Sequence, residues 1–277
     1  MTTKDDMTPS QTKKTSFNVR EFARTARGNH RAELVLDEYE TKPLASDTLR
    51  ALSYLRDLES ATMQWLRNVL VTPTHKDARV TAFLVSWAFE KFWIADAITA
   101  VIEANGYTAT ELPGAGKRRH PLSEAGDRTG PVRRAISAIV IGPDIVAVHM
   151  ATELVDQWVT HASYDRVAEV AASEALTGTI RMILEVKKRH EEFFAEESER
   201  RLSESAKAAR LTRRALSNAA WPIGAVDRSD SDRTFFERYM FGNEEGANRA
   251  SEIASRVARL PGIGERVATT IQERLAP

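Results

Sequence analysis

The sequence predicts an all-α chain, and three observations carry that prediction. Aromatic residues make up only 7% of its 277 positions, alternating apolar and polar runs are scarce, and long stretches are rich in Ala, Leu, Glu and Arg. Four of those stretches repeat apolar residues at three- and four-residue steps, the period of one helix face.

The first long helix is expected over 46–71, with Asp47 capping its start and Pro73 ending it. Leu52, Leu55, Glu59, Thr62, Leu66 and Leu70 fall on one face. The second spans 76–105 and shows Phe83, Trp87, Glu90, Ile94, Ala97 and Val101, with Asn105-Gly106 as its stop. From 106 to 130 Pro, Gly and Thr surround the basic cluster Lys117-Arg118-Arg119-His120, which reads as a long connection with a solvated basic surface. The third helix, 132–171 with a bend at Gly142-Pro143, carries Val146, Met150, Glu153, Gln157, Thr160 and Tyr164 on its inner face. The fourth, 175–211, carries Ile180, Ile183, Lys187, His190 and Phe194. Residues 210–222 read as a basic amphipathic segment that docks through Leu211, Leu216 and Trp221, and 233–277 as two or three short helices.

Each stripe is interrupted at its centre by an ionisable residue: Glu59, Glu90, Glu153, and Lys187 with His190. Charge in an apolar seam is expensive unless it is paired, hydrogen-bonded or bound to a metal, so four such interruptions at one level point to a site inside a bundle. Three carboxylates against one ammonium leave an excess near minus two with His190 neutral. A single divalent ion, a carboxylate kept protonated, or polar partners such as His149 and Gln157 would each answer that excess.

Bulk composition limits the alternatives. Lys plus Arg and Asp plus Glu number 39 each, so no global field draws the chain to nucleic acid or to an anionic membrane. The absence of cysteine removes thiol nucleophiles and zinc-thiolate sites. No run reaches the length of a membrane span, and the polar start lacks an apolar signal core, which leads to the expectation of a soluble cytoplasmic protein. The expected organisation is a mostly flexible segment over 1–44, a helical bundle over 45–205 and a helical extension over 206–277.

On these residues the chain resembles the ferritin-like superfamily, over about 46–202. The stretch Val186-Lys187-Lys188-Arg189-His190-Glu191-Glu192-Phe193 is similar to that family's Asp-Glu-Ala-Arg-His-x-x-Phe motif. The resemblance implies a four-helix bundle with a long crossover between its second and third helices. It also implies inward-facing metal ligands, which fall here on Glu59, Glu90, Glu153 and His190. Trp93 stands where the second helix should supply a His, and Lys187 where the fourth should supply a Glu. An ammonium among carboxylates takes the place of a cation, so the implied site is altered and mononuclear, holding Fe or Mn, with His149 as a substitute ligand. The implied function is that of a metal-carboxylate protein, an oxidoreductase on a small hydrophobic molecule if catalytic. The alternative is a metal-free pseudoenzyme acting as a structural or interaction protein, and bundles of this kind often form homodimers.

A second resemblance is short. Leu260-Pro261-Gly262-Ile263-Gly264-Glu265-Arg266-Val267-Ala268 is similar to the helix-hairpin-helix turn of DNA-binding proteins, in which glycines let backbone N–H groups reach a phosphate. The surrounding mixture of Glu and Arg argues against nucleic acid as the main partner, and Pro-Gly is equally a good interhelical turn.

Overall fold

The computed structural model describes residues 16–108, 142–224 and 228–276, and these are helical with no strand among them. The basic cluster at 117–120 and the first part of the expected third helix, 132–141, lie outside the described residues.

Four long helical stretches form the core. The first is divided: α3 (Ser46–Ser60) ends at Ala61 and α4 (Thr62–Leu70) follows at once. Near this break the Ser60 hydroxyl bonds back to the Arg56 carbonyl, and the Leu58 and Ala61 side chains meet the chain at Gly224. Asp47 sits in the first turn rather than at the cap, which is Ala45. A 3₁₀ turn (Pro73–Lys76) leads to α5 (Ala78–Ala104), capped by Asp77 through the Val80 amide at 3.0 Å. Gly106 closes α5 with φ at +82°, where a side chain would be strained.

The third and fourth are α6 (Ile145–Ala171) and α7 (Glu174–Glu204), joined by a turn in which Ala172 is left-handed and Ser173 caps the Leu176 amide. The expected fourth helix to 211 stops at Ser205. Its hydroxyl accepts from the Ala208 amide, restarting the chain as α8 (Ala206–Asn218), and donates to Asp144 at 2.8 Å.

Of the residues placed on the four inner stripes, all are buried except Leu70, which is half-buried. The pairings give the directions. Leu44 donates its amide to Asn105 at the far end of α5, so α3 and α5 run oppositely. Arg79 bonds Glu197 while Glu90 meets His190, so α5 and α7 do too. The short turn and the Trp158–Glu191 bond make α6 and α7 antiparallel.

The N-terminal segment differs from the expected flexible one from residue 16 onward. Helix α1 (Val19–Arg24), capped by Asn18, packs on α5 with Phe22 stacked on Phe83 at 4.8 Å. A 3₁₀ turn (Arg31–Glu33) and α2 (Glu38–Thr41) continue this strap, with His30 and Tyr39 buried.

The extension comprises α8, then α9 (Asp230–Phe241), α10 (Glu244–Ala258) and α11 (Glu265–Leu275). Leu216 and Trp221 are buried as expected, while Leu211 is half-buried. The α10–α11 hairpin leans on α8: a Cβ at Gly262 would lie 2.8 Å from that of Ala209, Arg213 donates to the Gly262 carbonyl, and Ile263 is buried. Close packing thus accounts for the glycine in this turn.

Candidate functional site

The interior charges meet between the four core helices. Glu59 of α3 is 2% exposed. Its Oε1 accepts from the Tyr164 hydroxyl of α6 at 2.9 Å and from the Lys187 ammonium of α7 at 3.2 Å. Its Oε2 is in close ion contact with the ammonium of Lys91, from α5. Burial alone would raise the Glu59 carboxyl, but the charges of Lys187 and Lys91 and the hydrogen bonds of Lys91 and Tyr164 outweigh it and hold it down at about 2.

Glu90, on the same turn of α5 as Lys91, forms the other half. Its Oε2 pairs with His190 Nε2 at 2.6 Å, while Oε1 accepts from the Arg27 backbone amide at 2.7 Å and from the Arg189 guanidinium. Burial drives the His190 imidazole down to about 4 despite Glu90. It is neutral near pH 7, with Nε2–H donated to Glu90 and a bare Nδ1 facing the interior.

Glu153 and Asp156 of α6 are both buried. Glu153 accepts from the Gln157 amide at 2.7 Å, and Asp156 accepts from the Ile223 backbone amide at 2.6 Å. Burial, then the charge of Asp156, raises the Glu153 carboxyl to about 8 against the pull of Lys91. Burial also lifts Asp156 to about 6, with Lys91 opposing. Of the two lysines, Lys91 is the firmly charged one: burial lowers it, but Glu59, Glu153 and Asp156 reverse the shift. For Lys187 burial wins, and its ammonium is shifted down.

The structure therefore joins Glu59 to Lys187 and Glu90 to His190, and the fields of Lys91 and Lys187 link both pairs to Glu153. Two residues read as ligand positions lie elsewhere. His149 bonds Thr74 at 2.9 Å and lies edge-on to Trp65, and burial lowers it to about 4. Trp93 turns toward the N-terminal strap, its Nε1 3.8 Å from where a Cβ of Gly28 would be. Lys91, Asp156 and Arg189 are the functional residues missing from the stripe reading. Lys91 had a signal: Leu84, Ala88, Lys91, Ala95, Ile98 and Ile102 form a second buried stripe on α5 with the lysine at its centre.

These additions change the charge count. Glu59, Glu90, Glu153 and Asp156 face Lys91, Lys187 and Arg189, four against three, and a proton on Glu153 brings the sum to zero. Among the described residues no group of three or more His, Asp or Glu is arranged to hold a metal ion. The oxygens of Glu59 and Glu90 are already taken by ammonium, guanidinium, phenol, imidazole and amide donors, so the donor set does not fit a dimetal centre. None of the described helices is long and apolar enough to cross a membrane. No family model matches the chain, and neither a curated protein nor a solved structure matches it.

Proposed function

We propose that the chain is a ferritin-like four-helix bundle in which an ion-pair network stands where the family holds metal, and that it acts as a metal-independent interaction protein. The helix directions support the bundle. Since α5 opposes α7 and α7 opposes α6, helices α5 and α6 run the same way. The chain leaves α5 at one end of the bundle and enters α6 at the other, where His149 meets Thr74, as a crossover between the second and third long helices requires.

The observation that carries the function is that Glu59 is claimed by two buried ammonium groups. A divalent ion at that carboxylate would have to displace Lys91 and leave a bare cation in the core, which costs several kcal/mol. The excess charge, for which the sequence left a divalent ion, a protonated carboxylate and polar partners open, is balanced in this reading by Lys91 and a proton on Glu153.

One observation favours a second reading, a single Fe or Mn ion in an oxidoreductase for a small hydrophobic molecule. His190 Nδ1 and Gln157 Oε1 are buried hydrogen-bond acceptors without a partner, and each has a lone pair that a metal ion could use. Elemental analysis of protein purified without chelator separates the two. The expected result is below about a tenth of an equivalent of any transition metal. Stoichiometric Fe or Mn that disappears in Glu153→Ala overturns the metal-independent reading.

A further inference from the structure

A long helix that is apolar all round is normally covered on every side. Helix α5 is such a helix, yet its outer face is open. Val85, Phe89 and Phe92, at four- and three-residue steps, are 56%, 46% and 58% exposed, and Met63 of α4, across a cleft from Phe92, is 53% exposed. These are four of the seven large hydrophobic side chains exposed among the described residues. Between Arg79 and Asp96 the only charges on α5 are Glu90 and Lys91, both turned into the core. A patch of this kind marks an interaction surface.

We infer that the partner is a second copy of this chain, with the two α5 helices antiparallel about a twofold axis near Phe89. The face itself is uncharged, and its two ends differ in sign: Arg67 and Lys76 are exposed toward the start of α5, while Asp96 and Glu103 toward its end share the single guanidinium of Arg31 and leave that end one charge negative. Antiparallel pairing sets the basic end of each copy against the acidic end of the other, twice, as an isologous contact requires. A parallel arrangement would oppose like charges.

The surface also contains both a knob and a hole. Beside the stripe a cleft of about 360 Å³ runs between Met63, Ala88, Phe92 and Ala95, with room for an apolar side chain from the stripe of the other copy. Glu59 lies at the floor of this cleft, so pairing also seals the buried network from water. The inference rests on the reading of the bundle as an interaction protein and names its partner. The two fail separately: a monomer with negligible metal overturns the pairing alone, and a dimer with stoichiometric metal overturns the metal-independent reading alone.

The test is the mass of the full chain in solution by light scattering and sedimentation, from about 1 to 100 µM. The expected mass is twice 30.9 kDa. Phe89→Glu with Phe92→Glu should give a monomer with an unchanged circular dichroism spectrum, while Val170→Glu, 41% exposed on α6, should remain paired. Should the double variant misfold, a second measurement decides. The chain contains no cysteine, so Phe89→Cys supplies a lone thiol beside its own symmetry mate and should oxidise to a disulfide-linked pair, whereas Val170→Cys should not. A monomer at the highest concentration overturns the pairing. So does a dimer that neither responds to the Glu substitutions nor cross-links through Phe89→Cys.

Discussion

Glu59 and Glu153 are buried to the same degree, 2% and 3% exposed, in the same core and within the field of the same two lysines. One carboxyl is held at about 2 and the other is lifted to about 8. Burial acts in the same direction on both. What differs is the company: Glu59 has a phenol and two ammonium groups in contact, whereas Glu153 has one neutral amide and faces the carboxylate of Asp156. In a closed core the contacts a carboxyl makes, more than its depth, decide whether it is charged. The widest break of this contrast is Glu59→Ala. It leaves Lys91 and Lys187 buried with no contacting anion and is expected to cost about 3–5 kcal/mol, read as a fall in the urea midpoint. A loss below about 1 kcal/mol would mean that the two lysines reach water in solution and that the pairing at Glu59 is not what organises the core.

The next sharpening is a pH experiment on Glu153→Gln, which keeps the amide contact and removes the titration. The folded carboxyl is raised from 4.5 to about 8, so between those values the folded chain binds more protons than the unfolded one. Stability from this group is full below pH 4.5 and is lost as pH rises to about 8, at a slope of at most about 1.4 kcal/mol per pH unit. The variant should melt with the parent near pH 4 and increasingly above it toward pH 8, with the gap constant beyond. His190, lowered from 6.5 to about 4, acts oppositely: its contribution is present above 6.5 and is lost on acidification. It is common to both proteins and cancels in their difference. A gap that does not change with pH would show that the Glu153 carboxyl titrates in the folded chain as it does in the unfolded one.

The inner stripes were legible because helix periodicity survives any detail of packing: Phe83, Trp87, Glu90 and Val101 are buried at the spacing that the sequence displays. The strap at residues 16–44 was not, because its helices are short and its anchors, Phe17, Phe22 and Tyr39, are isolated aromatics without a period. Ser205 hid in a run of Glu and Arg that reads as continuous helix, although a serine three residues before an amide in need of a partner is a cap signal. In the site the miss was systematic. A single-stripe view of α5 counted Glu90 and left out Lys91, because a helix apolar all round buries two faces and a stripe marks only one. With Lys91 omitted, the count stood near minus two and left a divalent ion, a protonated carboxylate and polar partners equally open; with Lys91, Asp156 and Arg189 included, the excess is a single charge, which a proton on Glu153 balances.

The smallest effect is expected at the residue that seemed most anomalous in sequence. Lys187 and Lys91 both hold Glu59, but unequally. Lys91 is the closer and gains from Glu153 and Asp156 as well, which fixes its charge, whereas Lys187 lies 3.2 Å from Oε1 and is shifted down by burial and by the repulsion of Lys91. Lys187→Met exchanges a poorly compensated ammonium for an apolar chain of similar length, and Glu59 keeps Lys91 and Tyr164. The expected change is within about 1 kcal/mol, measured as a denaturant midpoint at unchanged slope. Lys91→Met, by contrast, removes the contact that offsets three carboxylates and should approach the loss seen for Glu59→Ala. Equal losses at the two lysines would show that the ammonium of Lys187 is as well compensated in the core as that of Lys91.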